Sequence, residues 1–226
     1  MPTPRTGYRD EQGNPLPGVT TILKQMDVSF LIGAANKMGL KGREVYGPNG
    51  EWTRAADIGT CAHARIEAYI RGEAFTAEQA QSSELFEASQ PAYESFLEWA
   101  EGRVWSGSTE VGLVSERGYG GTIDYVSHET AEIWDWKTSK QLRASAIAQV
   151  CGGYSILCEE RMFVPQLYHV VRFPKEGGQA EQWTVHAGSP TAQAGRVLFE
   201  SLLASYKATA EIESVNKMRL KMEKAA

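Results

Sequence analysis

The sequence predicts an α/β protein in which a central mixed β-sheet is flanked by helices and preceded by an N-terminal helical portion. The chain has 226 residues, 42% hydrophobic and 23% charged, as is ordinary for a globular domain. Helical patterns come first, followed by three strand-like runs, a helix, two more strands and a last helix. We therefore expect a single domain, with a mainly helical portion over 1–105, a core over 106–188, and a C-terminal helix with a basic tail over 189–226.

The first elements are short. Residues 8–16 have the turn-rich pattern of a small hairpin. An apolar helix is expected from 19–23, with Thr20 as its candidate N-cap. Residues 30–38 predict another helical piece, and the glycines of 39–52 predict a loop that could offer aromatic and basic side chains to a single strand. The side chains considered for that contact are Lys41, Arg43, Tyr46 and Trp52 in the loop, and Arg54, Lys140 and Arg143 near the site.

Helical periodicity is clearest over 55–71, where apolar residues recur three and four positions apart. His63 and Glu67 are four apart, so they share one face of this helix. A surface His–Glu pair and a metal-facing pair both fit that spacing. A further helical stretch is expected over 77–103, where Pro91 either separates two helices or kinks one.

The strands are predicted from runs rich in β-branched and aromatic residues. They are 109–115, 121–127, 131–137, 166–173 and 180–186. A helix over 143–159 separates the third strand from the fourth. Ser189 is the predicted cap of the last helix, with Pro190 at its first position.

Acidic residues near the middle of the second and third strands form the most informative pattern. The polar link between these strands predicts a hairpin, which would place Asp124 and Asp135 on neighbouring strands. Asp135 and Lys137 are two apart and therefore project from one face. An Asp–Lys pair at a solvated sheet edge explains those two residues alone. The Gly-Gly before Asp124 and the tryptophans beside Asp135 favour a site, because a buried charge must be paired or bind a metal.

This pattern suits phosphodiester hydrolysis, which needs a nucleophilic water, neutralisation of charge at phosphorus and help for the leaving oxygen. Divalent cations can provide all three. Asp124 and Asp135 would supply the carboxylate oxygens that Mg²⁺ prefers, and Trp136 a backbone carbonyl. Lys137 would orient or help deprotonate the water and stabilise phosphate charge. Glu110, on the preceding strand, could reach the same metal or its water.

The order of these residues resembles the nuclease core of the PD-(D/E)XK superfamily, and within it the RecB-like exonucleases, which include phage enzymes and the mitochondrial genome maintenance exonuclease. The matching features are Gly-x-Ile-Asp124, Ile-Trp-Asp135-Trp-Lys137-Thr-Ser, Gln149, the segment 16–23 and Gly59-Thr60-x-x-His63-x-x-x-Glu67. The resemblance covers most of 15–175. It implies a restriction-endonuclease-like core with α-β-β-β-α-β order.

The resemblance also implies a site that uses Mg²⁺ or Mn²⁺. The implied metal ligands are His63, Asp124, Asp135 and the Trp136 carbonyl, with Glu110 supporting the metal or its water. Lys137 would be catalytic together with the acids Glu110, Asp124 and Asp135, and Gln149 would orient the site or contact DNA. Residues expected to contact DNA are Thr20, Thr138, Ser139, Lys140, Arg143 and Tyr154.

The sequence departs from the family pattern in two informative places. Family members often show Gln-x-x-x-Tyr, whereas Tyr154 follows Gln149 at i+5. That spacing puts the two on different faces of an α-helix. Glu116 competes with Glu110 for the acid of the first core strand, and Glu110 is preferred by position.

Composition limits the other function classes. The formal net charge of −5 does not suggest a general polyanion binder, although local basic contacts remain compatible with it. The tail 216–226 has four basic residues against one acidic residue, as in a frayed, solvated helix end or, alternatively, a nucleic-acid contact. The three cysteines, Cys61, Cys151 and Cys158, form no CxxC pair and argue against a disulfide framework or an iron–sulfur site.

The sequence therefore predicts a metal-dependent DNA nuclease, as an exonuclease acting on single strands or free ends in recombination, repair or phage DNA metabolism. A site-specific or structure-specific endonuclease is the alternative of the same fold. A catalytically inactive DNA-binding protein and an unrelated α/β protein with a surface Asp–Lys pair are the others. We expect no membrane span, because no apolar run approaches the roughly 20 residues needed. We also expect an intracellular, cytoplasmic location and a recombination protein as a partner.

Overall fold

The computed structural model describes residues 7–26 and 50–225, and a five-stranded sheet forms its centre. In chain order and in spatial order the strands are β3 (Ser108–Ser115), β4 (Tyr119–Ser127), β5 (Glu132–Lys137), β6 (Leu167–Arg172) and β7 (Glu181–His186). Neighbouring strands pair antiparallel except β5 and β6, which are parallel. The predicted mixed α/β fold is confirmed, and it is consistent with a restriction-endonuclease-like core.

Helices cover both faces of the sheet. They are α1 (Val19–Leu23), α2 (Glu51–Arg71), α3 (Ser83–Ala100), α4 (Ala144–Ala148), α5 (Ser155–Arg161) and α6 (Pro190–Ala225). A 3₁₀ turn at Lys24–Met26 follows α1, and a π-helical turn at Gln149–Tyr154 joins α4 to α5. In the described ranges no helix is both long and apolar enough to cross a bilayer.

Two apolar clusters fix the helices to the sheet. On one side α1, the π-helical turn and α6 pack on the sheet around Ile22, Ile123, Ile133 and Phe199, all fully buried. On the other side α2 and α3 pack on Tyr125, Trp134, Trp136 and Phe173. Burying one such side chain contributes about 1.5–3 kcal/mol. The sheet is therefore anchored on both faces.

The helix boundaries differ from the sequence predictions in two places. Helix α2 begins at Glu51 rather than at residue 55, so Trp52 lies on a helix and not in a loop. Helix α3 runs unbroken through Pro91, and it begins at Ser83, where the Ser82 side chain accepts from the backbone of Leu85. Packing of its apolar face against the sheet therefore outweighs the helix-breaking tendency of proline.

The last helix begins as predicted. The Ser189 hydroxyl accepts a hydrogen bond from the backbone N–H of Ala192 at 3.2 Å, and Pro190 is the first helical residue. The helix continues for 36 residues, and it is exposed on all sides from residue 207 to residue 220. The three cysteines are buried and form no disulfide.

The predicted N-terminal hairpin is present as β1 (Tyr8–Arg9) and β2 (Pro15–Leu16), paired antiparallel. The Gly120 N–H donates to the Pro17 carbonyl at 3.0 Å, which attaches this hairpin to β4. A side chain on Gly120 would collide with the ring of Tyr8, so the hairpin can lie there only because residue 120 is glycine. The helix predicted over 30–38 and the residues Lys41, Arg43 and Tyr46 lie outside the described residues.

Candidate active site

Pairing between β4 and β5 ends where the two acids lie. The strands pair from Ser127 and Glu132 to Tyr125 and Trp134. Beyond that point the Trp136 N–H donates to Oδ2 of Asp124 at 2.6 Å. A carboxylate takes this N–H in place of a ladder carbonyl, so the strands separate around it. The antiparallel pairing confirms the predicted hairpin, with Asp124 and Asp135 on neighbouring strands.

Helix α2 brings His63 to this point. Its Nδ1 lies 3.4 Å from Oδ1 of Asp124, and the two side chains are only 28% and 11% exposed. Burial opposes the charged form of both groups, but their mutual attraction dominates. It raises the pKa of His63 and, with the Trp136 N–H, lowers the pKa of Asp124. Each group therefore favours the charged form of the other, which preserves negative charge on Asp124.

Asp135 is in the opposite electrostatic situation. It is 1% exposed, and burial together with the nearby Asp124 raises its pKa to about 6 although Lys137 acts against the shift. Lys137 Nζ forms an ion pair with Oδ2 of Asp135, which confirms that the two side chains share one face. Within the described residues Oδ2 has no hydrogen-bond partner besides this contact with Lys137. A buried carboxylate oxygen with spare accepting capacity is therefore present at the centre of the site.

Two successive hydrogen bonds also hold Lys137 in place. Its Nζ donates to Oε1 of Gln149 at 3.0 Å, and Nε2 of Gln149 donates to the Tyr154 hydroxyl at 2.6 Å. The prediction that Gln149 and Tyr154 lie on different helix faces is wrong, because residues 149–154 form a π-helical turn in which i and i+5 are aligned.

Two glycines allow this turn to pack. A side chain at Gly152 would collide with Phe199 of α6, and a Cβ at Gly153 would lie 2.6 Å from a methyl group of Val19. The turn thus fits between α6 and α1 only because both positions lack a side chain. In the sequence, the Gly152-Gly153 pair and the i+5 spacing of Gln149 and Tyr154 were the signals for this arrangement.

Glu110 is on β3 and lies beside Asp124 of the neighbouring strand β4. Its backbone has φ of 51°, in the left-handed region that a non-glycine residue adopts at a free-energy cost of about 1–3 kcal/mol. Burial, Asp124 and Glu67 raise the pKa of Glu110 to about 7. Glu116, the competing acid, lies exposed in the turn after β3, 3.7 Å from Arg161. The structure thus places Glu110, and not Glu116, beside Asp124.

Tyr8 is a neighbour of the site that sequence reasoning missed. Its hydroxyl lies 2.9 Å from the Thr122 hydroxyl, and its ring covers Gly120. Burial, Glu110 and Asp124 together raise the pKa of Tyr8. The Gly-Gly before Asp124 was its only signal, since such a pair often marks close approach by another part of the chain.

Of the residues predicted to contact DNA, Thr138, Ser139 and Lys140 follow β5 directly and are at least partly exposed. The Ser139 hydroxyl donates to the Gln141 carbonyl at 2.9 Å, which shapes this connection. Arg143 is the N-cap residue of α4. These residues form the segment between Lys137 and Gln149, so they border the site.

The other two predicted DNA contacts lie apart from that segment. Thr20 is exposed on α1, but its predicted role as N-cap is wrong, because Gly18 is the N-cap and its carbonyl accepts from Ile22 at 3.1 Å. Tyr154 is 4% exposed and is hydrogen-bonded to Gln149. In this arrangement the Tyr154 hydroxyl faces Gln149 rather than solvent.

The acids of this region are of the type that a hard divalent cation prefers. Repulsion from Asp124 helps to raise the pKa of both Asp135 and Glu110, and a nearby cation would relieve it. Across residues 7–26 and 50–225, no group of three or more His, Cys, Asp or Glu side chains is arranged to hold a metal ion. Lys137 and His63 instead neutralise Asp135 and Asp124.

Comparison with known proteins adds little to this geometry. No protein-family model matches the sequence, and no curated protein matches it significantly. The chain is similar to the crystal structure of SSO0001, with 12% identity and a TM-score of 0.33, over 67% of this chain and 74% of that one. It is also similar to the crystal structure of LHK-Exo in complex with dAMP, with 17% identity and a TM-score of 0.35, over 75% of this chain and 92% of that one. Likenesses at this level assign no function to the chain.

Proposed function

We propose that this protein is a Mg²⁺- or Mn²⁺-dependent deoxyribonuclease of the PD-(D/E)XK type, acting as a RecB-like exonuclease. One observation carries the proposal: Asp124, Asp135 and Lys137 meet where β4 and β5 separate, with His63 and Gln149 reaching the same point from two helices. Buried charge of both signs is expensive for a merely structural region. Its concentration at one end of two strands is typical of a catalytic site.

The residues divide the chemistry among them. Lys137, held between Asp135 and Gln149, would present its ammonium to the phosphate oxygens and to the attacking water. Glu110, with a pKa of about 7, can accept a proton from that water on its carboxylate near neutral pH. A cation bound by Asp124, Asp135, His63 and the Trp136 carbonyl would supply charge neutralisation and a more acidic water. Tyr154 would keep the Gln149 amide in the orientation that holds Lys137.

The proposed substrate is DNA with free ends, single-stranded or frayed, and the proposed setting is recombination, repair or phage DNA metabolism inside the cell, with a recombination protein as a partner. The choice of an exonuclease follows the sequence resemblance. A closed circular single strand tests it, because an exonuclease leaves the circle intact while an endonuclease of the same fold opens it.

The decisive experiment is a cleavage assay on end-labelled linear single and double strands, with Mg²⁺, with Mn²⁺ and with EDTA. We expect the wild type to cleave with either cation and to stop in EDTA. Asp135→Ala and Lys137→Ala should abolish cleavage while circular dichroism shows an unchanged fold. Lys207→Ala, at an exposed position of α6, is the matched control and should cleave normally. Full activity in either site variant would refute the proposal, and a wild type that binds DNA without cleaving it would identify a catalytically inactive binding protein.

A further inference from the structure

A second polar spot lies next to the site, at the carboxyl ends of the two parallel strands. The Phe173 N–H donates to the Lys137 carbonyl at 2.7 Å, so β5 and β6 remain paired up to their last residues. Thr138 directly follows β5, and Lys175 lies in the turn that follows β6. Because the strands are parallel, both residues emerge at the same edge of the sheet, where ligands of such sheets commonly bind.

Gly59 of α2 lies opposite these two side chains. A Cβ built on Gly59 would be 2.8 Å from the Thr138 hydroxyl oxygen and 3.8 Å from Nζ of Lys175. Both polar atoms therefore lie within 4 Å of a single point that a side chain on residue 59 would fill. Gly59, Thr138 and Lys175 are all partly exposed, so a ligand can reach that point from solvent.

Lys175 is held in place without a carboxylate. Its Nζ donates to the Ala55 carbonyl of α2. The turn that carries it is closed by a 3.0 Å hydrogen bond from the Gly177 N–H to the Pro174 carbonyl, and Gly177 lies beside Pro91 of α3. No acidic side chain in the described ranges forms an ion pair with Lys175, and burial lowers its pKa although the neighbouring Glu176 opposes this. An ammonium held in place without a counter-charge is suited to an external anion.

The position of the spot relative to the site is equally specific. Gly59 precedes His63 by one turn of the same helix face, a rise of about 6 Å. Thr138 is the residue after Lys137. Measured along α2, the spot is therefore about 6 Å from the level of His63, and it lies at the ends of β5 and β6.

We propose that Gly59, Thr138 and Lys175 form a subsite for a backbone phosphate of the DNA strand, next to the phosphate that is hydrolysed. The Lys175 ammonium neutralises this phosphate and the Thr138 hydroxyl donates to it, while Gly59 leaves room for its oxygens. The contact carries no base information and fixes the register of the strand across the site. This inference rests on the proposed nuclease function and adds a binding residue, Lys175, that lies outside the sequence motif.

Binding is measured first, by fluorescence anisotropy of a labelled single-stranded oligonucleotide in EDTA over a range of salt concentrations. Relative to the wild type we expect Lys175→Met to bind about tenfold more weakly, and the slope of log K against log salt to fall by about 0.7 in magnitude, as for one lost phosphate contact on a single strand. Lys175→Arg should restore most of the affinity. The matched control Lys207→Met should bind like the wild type. Thermal unfolding identifies any variant that is not folded, in which case Thr138→Val replaces Lys175→Met.

The position of the contact is tested with oligonucleotides that carry one uncharged methylphosphonate at successive positions. For the wild type, affinity should fall at the position adjacent to the mapped cleavage site. For Lys175→Met the same substitution should have no further effect. Equal losses for both proteins at every position, or an unchanged salt slope in Lys175→Met, would overturn the subsite while cleavage by the wild type left the proposed function standing. A wild type that neither binds nor cleaves DNA would overturn both.

Discussion

Strand β5 contributes to two regions of opposite character. Trp134 and Trp136 project into an aromatic cluster with Trp99, Trp105 and Phe173, whose rings meet edge-on or tilted at 5–7 Å, as aromatic pairs prefer. On the other face, Asp135 and Lys137 form a buried ion pair. The aromatic face stabilises the sheet, whereas the charged face carries a desolvation penalty that packing elsewhere must offset.

The histidines of these two regions show the same contrast. His169 stacks on Trp134 at a centroid distance of 3.6 Å, and burial lowers its pKa to about 4, with Arg103 and His186 adding to the shift. His63, also desolvated, has a raised pKa because Asp124 faces it. His169 also has a carboxylate nearby, because Glu132 lies 3.6 Å from its Nε2, yet burial, Arg103 and His186 prevail there. At His63 the attraction of Asp124 prevails over burial instead. The two histidines therefore differ in the balance between burial and their charged neighbours.

The largest expected effect is a loss of stability without a loss of DNA cleavage. Phe96→Ala removes a fully buried ring that contacts Phe173 and Trp99, and it should lower the free energy of unfolding by about 3–5 kcal/mol. Urea unfolding measures this loss. Below its unfolding midpoint the variant should still cleave DNA at close to the wild-type rate. Loss of cleavage while the variant is still folded would show that the two faces of β5 are not independent.

Glu110→Gln should show the reverse behaviour, with higher stability and lower activity. Because the folded-state pKa is about 7 and the ordinary value is 4.5, the folded state binds the proton more tightly, and stability falls as pH rises from about 4.5 to about 7. The variant should therefore be more stable by about 3 kcal/mol at pH 8 and unchanged at pH 4. Urea unfolding at both pH values checks this, with Glu116→Gln as the control. Equal stabilisation at both values would contradict the assigned pKa.

Tyr154→Phe should have the smallest effect. Removing the hydroxyl that accepts from Gln149 should destabilise the protein by about 1 kcal/mol and reduce kcat several-fold with little change in KM. Tyr168→Phe is a matched control, because its buried hydroxyl is hydrogen-bonded to Ser155 and not to Gln149. Single-turnover kinetics distinguish the two variants. An equal loss of rate in both would mean that Tyr154 supports the fold and does not position Lys137.

Local pattern was sufficient for much of the fold. Period-two runs predicted all five strands within a few residues, because strand alternation is a short-range property of the chain. Ser189 and Pro190 predicted the start of α6 for a similar reason. The spacing of Asp135 and Lys137 predicted their shared face. The starts of α2 and α3 were missed, because packing overrides local preference at such positions.

Periodicity and a short link in the sequence are enough to predict the order of the strands along the chain and the placement of the acids and the lysine on adjacent strands. Which distant groups surround them depends on how the chain folds in three dimensions. Tyr8 covers Gly120, Lys175 meets Gly59 and Thr138, and the π-helical turn aligns Gln149 with Tyr154. These contacts join residues far apart in the chain or depend on an irregular turn. They follow from close packing of side chains in space, which no local spacing encodes.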